Sequence, residues 1–108
     1  MTFSELFTIL NSITGFDKKV AYRQWPEGQA PELPFIVYYA EGSDNVLADN
    51  KVYMPRTKVV IELYSVQKDT ISEGLIESAL NGNDIPWEKY EEYIESEHML
   101  QISYEIII

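Results

Sequence analysis

Residues 25–40 read W-P-E-G-Q-A-P-E-L-P-F-I-V-Y-Y-A, and they constrain the fold more than any other stretch of the chain. Pro26, Pro31 and Pro34, with Gly28, set out a stiff loop that runs directly into an apolar strand. Pro34 has no N–H to give to a ladder, so it belongs at the start of that strand. Residues 35–40 are apolar at every position, so neither face of the strand suits water. Such a strand is expected to be central and covered on both sides.

The rest of the chain supplies the neighbours and the cover. Thr2 and Glu5 have the spacing of a capping box. Phe3, Leu6, Phe7, Leu10 and Ile13 then recur at helical intervals, which predicts a first helix over residues 3–14 with Gly15 at its C′ position. Residues 19–24 form a short strand candidate around Val20 and Tyr22. Residues 42–45 have turn chemistry. Val46-Leu47-Ala48 and Lys51-Val52-Tyr53 flank Asp49-Asn50, the pattern of a tight hairpin. Residues 56–66 read as a long strand with Val59, Ile61 and Leu63 on one face. Asp69 or Thr70 caps a second helix, with Thr70 and Glu73 spaced as another box and Ile71, Leu75, Ala79 and Leu80 as its inner face. Residues 81–84 end it. Residues 87–94 and 99–108 form a closing antiparallel pair joined through 95–98. In the last of these, Leu100, Ile102, Tyr104, Ile106 and Ile108 alternate with polar residues.

The order is therefore α-β-β-(hairpin arm)-β-α-β-β. The simplest solution is a single α+β domain over 1–108, a mostly antiparallel or mixed sheet with two helices packed on one face. The 108 residues suffice for one core without staples. No repeat, linker or low-complexity segment interrupts them. The N-terminal residues lack a basic region and carry Glu5, so no signal peptide is expected and the chain is read as cytoplasmic when made.

Composition narrows the chemistry. Acids outnumber bases by 18 to 8, a formal charge of −10. That field repels phosphate backbones and anionic membranes alike. There is no cysteine and one histidine, His98, so nucleophile–base catalysis would have to pass through a residue beside Glu97 at a turn. Glu88, Glu91, Glu92, Glu95 and Glu97 form the densest acidic cluster, but strand alternation sends Glu88 and Glu92 one way and Glu91, Glu95 and Glu97 the other. No D-x-D-x-D-G loop accompanies them. Asp44, Asp49 and Asn50 are turn formers in a turn context. No phosphate-binding glycine loop or H-E-x-x-H is present. No catalytic residue, metal ligand or cofactor is assigned, and the chain is read as a non-enzyme. An interaction role fits better, because the apolar segment 46–53 is a poor surface loop for a free monomer and suits an arm laid on a neighbour.

Four stretches carry a resemblance. They are residues 22–39, A-D-N-K-V-Y around 49–53, I-E-L-Y at 61–64 and Y-I-E-S-E at 93–97. Together they are similar to small tail-completion or tail-terminator (tail-to-head joining) proteins of tailed phages and prophages of Gram-positive bacteria. One departure is Asn50, where glycine is expected. The resemblance implies a ring, commonly of six copies, that caps the tail tube, meets the major tail tube protein and the head connector, and passes DNA through its channel without specific binding. It places the protein in the virion at the head–tail junction, and in the host cytoplasm before assembly. Subunit contacts are expected at Trp25 and Pro26 or at Val46, Leu47, Val52 and Tyr53. The acidic surplus suits a lumen along which DNA slides, so Glu62, Glu91, Glu92, Glu95 and Glu105 are the channel-facing candidates. Two alternatives stay open: a head-completion or connector adaptor protein of the same gene cluster, and an acidic DNA-mimic inhibitor.

Overall fold

A computed structural model describes residues 1–108. Its elements follow the expected order: α1 (Phe3–Asn11), β1 (Val20–Tyr22), β2 (Phe35–Ser43), β3 (Val46–Ala48), β4 (Lys51–Met54), β5 (Thr57–Ser65), α2 (Thr70–Gly82), β6 (Glu88–Ile94) and β7 (Met99–Ile107). Five strands form one mixed sheet in the order β1-β2-β5-β7-β6, and β3 pairs with β4 as a separate two-stranded arm. Only β1 and β2 are parallel; the other pairs are antiparallel. The class is α+β.

Both helices lie on one face. That face contributes Ile36 and Tyr38 from β2, Val59, Ile61 and Leu63 from β5, and Leu100, Ile102, Tyr104 and Ile106 from β7. They join Leu6 and Leu10 of α1 and Ile76 and Leu80 of α2 in one cluster of buried side chains. The ladder aligns them rung by rung, with Ile36 opposite Leu63, which is opposite Ile102. Burying a side chain of this size contributes about 1.5–3 kcal/mol, so this cluster dominates the stability.

α1 opens with the expected reciprocal box: Glu5 N–H donates to Thr2 Oγ1 and Thr2 N–H to Glu5 Oε1. It ends at Asn11, three residues before the expected end. The reason is local competition for backbone groups. Ser12 Oγ donates to the Thr8 carbonyl at 2.6 Å, and Asn11 Oδ1 accepts from Lys18 N–H at 3.0 Å. Gly15, at φ +90°, serves the turn that follows rather than the helix cap.

α2 departs from expectation in its cap and its face. Asp69 is the cap, accepting from Ser72 N–H at 3.0 Å and from Ser72 Oγ at 2.7 Å. With Asp69 as the cap, N3 is Ser72, so Glu73 falls one position too late to complete a box and turns inward instead. The buried side is Ser72, Glu73, Ile76 and Leu80, and Ile71 is 78% exposed. At 3.6 residues per turn, Ile71 sits roughly 200° round the helix from Glu73, so orienting Glu73 inward turns Ile71 out. Leu75 and Ala79 are only partly buried against the core.

The segment 42–45 is also not the turn that its composition suggested. β2 runs on to Ser43, with a bulge that leaves Glu41 between the pairs Ala40–Val59 and Gly42–Lys58. The reversal comes at Asp49-Asn50, both left-handed at φ 52° and 60°. That is the geometry of a type I′ hairpin turn, where Asn and Asp are tolerated without glycine.

Candidate functional site

The proline loop explains itself through topology. β1 and β2 are parallel, so the chain must cross over the sheet between them. Residues 23–34 make that crossover on the face opposite the helices. Trp25 stands edge-on to Phe35 at 6.4 Å, and the Arg23 guanidinium lies 5.1 Å from the centre of the Tyr39 ring. Phe35 and Tyr39 both point away from the helices, since Ile36 and Tyr38 between them point inward. Gln29 N–H closes a turn onto the Pro26 carbonyl at 3.0 Å, with Gly28 at φ +76° supplying the left-handed residue. β2 is thus flanked by strands on both sides, with the helices over one face and Trp25 over its start on the other.

The face opposite the helices is the most distinctive surface of the molecule. Its centre is a hydrogen-bonded cluster on Glu62. The carboxylate accepts from Tyr64 Oη at 2.9 Å, from Gln101 Nε2 at 2.9 Å and from Tyr39 Oη at 3.3 Å. Gln101 Nε2 also reaches Tyr64 Oη at 2.8 Å. Burial, then the adjoining carboxylate, pushes the Tyr64 phenol up to about 12; burial and Glu62 also raise Tyr39. Both phenols therefore stay protonated as donors. The cluster orders three strands; it offers no free nucleophile.

Around that centre the face divides. At the end where β2 begins lies a concavity of ≈ 720 Å³, walled by Trp25, Phe35, Val37, Tyr64, Ile94 and Met99, with Arg23, Glu27 and Glu97 among its lining charges. Towards the other end, Glu88 and Glu105 sit directly opposite one another on β6 and β7, whereas Glu92, opposite Gln101, lies on the rung of Tyr64 and Phe35 beside the concavity. Like charges across a ladder destabilise it.

The acids on the helix side are treated differently. Glu73, whose side chain is 4% exposed, lies 2.7 Å from Lys89 Nζ and 3.0 Å from Lys68 Nζ. Lys89 also pairs with Glu77 at 2.8 Å, and Lys68 with Glu91 at 2.6 Å. Tyr104 Oη donates to Glu77 Oε2 at 2.8 Å. Burial opposes ionisation of Glu77, but the Lys89 and Tyr104 hydrogen bonds outweigh it and hold its carboxyl below the usual range. The five ion pairs of the molecule involve Asp44, Glu73, Glu77 and Glu91, and none involves Glu62, Glu88, Glu92 or Glu105.

The sequence-derived acids therefore separate. Glu62, Glu92 and Glu105 share the face away from the helices. Glu91 points to the helix side and is tied to Lys68. Glu95 lies in a single 3-10 turn, Glu95–Glu97, which ends at His98 with φ 51°. Strand alternation stops at Ile94, so it could not place Glu95 or Glu97.

The contact candidates also fall in two places. Trp25 and Pro26 belong to the crossover, where Trp25 is half-buried and its indole N–H is covered without a partner. Val46, Leu47, Val52 and Tyr53 belong to the β3–β4 arm, every residue of which is exposed; Leu47 is 69% and Tyr53 72% exposed. At the arm's base, Asp44 N–H donates to the Arg56 carbonyl, Arg56 N–H to Asn45 Oδ1, and the Arg56 guanidinium pairs with Asp44 at 2.6 Å. The arm is therefore clamped at its root.

No group of three or more His, Cys, Asp or Glu side chains is placed to hold a metal ion. No helix is long and apolar enough to cross a membrane. No protein-family model matches the sequence, and no curated protein matches it.

Proposed function

We propose that this chain is a non-enzymatic assembly protein of a phage or prophage virion, a ring-forming tail-completion subunit that joins tail tube to head connector around a DNA channel. The observation that carries this reading is the segregation of charge. Ion pairs neutralise the acids beside the helices, whereas Glu88, Glu92 and Glu105 stand without a cationic partner on the face away from the helices. A surface that keeps Glu88 and Glu105 opposite one another without an ion pair, at some expense to stability, suits a wall past which a polyanion must slide without sticking. The exposed apolar arm supports self-association, since a solitary chain has no use for it.

Two tests bear on this. Negative-stain images of the protein mixed with tail tubes should show it at the tube end; protein that never localises there counts heavily against the reading. Reversal of Glu92 and Glu105 to lysine should lower infectivity while rings and tails still assemble, and unchanged infectivity would remove the channel role. Glu91→Lys is the wrong probe, because it breaks the Lys68 pair instead. The connector-adaptor reading predicts binding to connectors and none to tubes. The acidic-inhibitor reading is favoured by carboxylates on a common face, but it leaves the arm without a purpose.

A further inference from the structure

We infer that the β3–β4 arm of one copy seats in the concavity between the crossover and the sheet of the next copy, a head-to-tail contact. The inference rests on the ring assembly proposed above and names the surface that the arm meets. Arm and concavity lie at opposite ends of the β2–β5 ladder: β2 starts at Phe35 in the concavity wall and ends at Ser43 beside the arm's root. Eight strand steps separate them by roughly 27 Å, whereas one limb of the arm reaches roughly 14 Å, so no chain can fill its own concavity. A contact between two different patches on identical chains is heterologous, and it propagates into a ring when the rotation closes.

Chemistry matches the two surfaces. The arm carries Leu47, Val52, Tyr53 and Met54, exposed and apolar. The concavity is walled by aromatic and aliphatic side chains. Charge selects the same pair of surfaces. Copies of a chain with formal charge −10 repel one another. They associate best where opposite charges on the two surfaces can face one another. The arm holds one acid and one base, Asp49 and Lys51, and the concavity offers Arg23 to the first and Glu27 and Glu97 to the second. The acidic pair Glu88–Glu105 stays clear of the contact, Glu105 lying four residues, roughly 13 Å, along β7 from Gln101, whereas Glu92, opposite Gln101, borders the concavity.

The chain has no cysteine, so site-directed cross-linking is clean. Full-length Ala48→Cys (arm) and Glu97→Cys (concavity rim) are mixed and oxidised, with Ser78→Cys on the outer side of α2 as the control partner. The expected result is an Ala48→Cys/Glu97→Cys dimer at least tenfold more abundant than either control pairing. A chain bearing both changes should give a ladder of higher species. Tyr53→Asp, in the exposed arm, should reduce the yield at least tenfold while the circular dichroism spectrum stays unchanged. Cross-linking at the control level, or a predominance of arm-to-arm dimers, overturns the inference. Tube-end localisation alongside that negative result would leave the assembly reading standing and remove only this contact.

Discussion

Removing the Lys89 ammonium tests how the edge strand β6 is held. β6 pairs with β7 alone, and every residue of it except Ile94 is exposed. Lys89 bridges from β6 to Glu73 and Glu77 on α2. Lys89→Met keeps the aliphatic stem and deletes the charge, leaving the buried Glu73 carboxylate with Lys68 as its remaining cation. Breaking a fully buried pair costs about 3–5 kcal/mol. Lys89 is 31% exposed and Lys68 remains 3.0 Å from Glu73, so the expected cost falls to about 2 kcal/mol. Lys68→Met removes a side chain that is 48% exposed, and about 0–1 kcal/mol is expected. Urea unfolding followed by circular dichroism reads the difference. With a slope of about 1–2 kcal/mol/M, Lys89→Met should lower the midpoint by about 1–2 M and Lys68→Met by at most half as much. Adding Glu73→Gln to Lys89→Met should recover about 1 kcal/mol, because the uncompensated buried charge goes with its partner. Equal shifts for the two lysine variants, or no recovery in the double variant, would show that Glu73 is not the buried charge around which the lock is built.

Other outcomes follow from the same structure. Asp69→Ala removes the α2 cap and should cost about 1 kcal/mol, a fall in Tm of about 4–8 °C, whereas Asp69→Asn should cost less because the amide oxygen still caps. Hydrogen bonds from Ser72 hold the Asp69 carboxyl below its ordinary value, and Lys89 and Tyr104 do the same for Glu77. Depressed folded values contribute stability that is fully present above the unfolded pKa, about 4, and is lost as pH falls through the folded values, so the urea midpoint should drop on acidification below about pH 4.5 and drop less in Asp69→Asn. Asn50→Val puts a β-branched side chain at φ 60° and should loosen the arm by about 1–2 kcal/mol. Amide exchange should accelerate in β3 and β4 while exchange in β5 and β7 stays unchanged.

The elements with one decisive local signal were legible in the chain. The alternation of Leu100, Ile102, Tyr104 and Ile106 declared β7 and its buried face, and all four are buried. Thr2 and Glu5 declared the start of α1, and Asp49-Asn50 declared the arm's turn. Where two local signals competed, the sequence was ambiguous. Ile71 continued an apolar stripe on α2, but Glu73 had partners from β6 and from the residues before the helix, and the helix turned accordingly. Ser12 and Asn11 carry helical-looking apolar neighbours and still end α1 through their side chains.

The sequence by itself determined the α+β order, the buried face of the sheet, the apolar arm and the excess of acid, because propensity, periodicity and net charge are properties of neighbouring residues or of their sum. Only the tertiary structure decided that the proline-rich stretch crosses over the face away from the helices, since that depends on β1 and β2 being parallel neighbours. It alone assembled Glu62 with Tyr39, Tyr64 and Gln101 from three strands. It alone sorted the glutamates into those neutralised by Lys68 and Lys89 and those left unpaired. An ion pair depends on distances of a few ångströms between residues far apart in the chain, and spacing along a strand carries no such information.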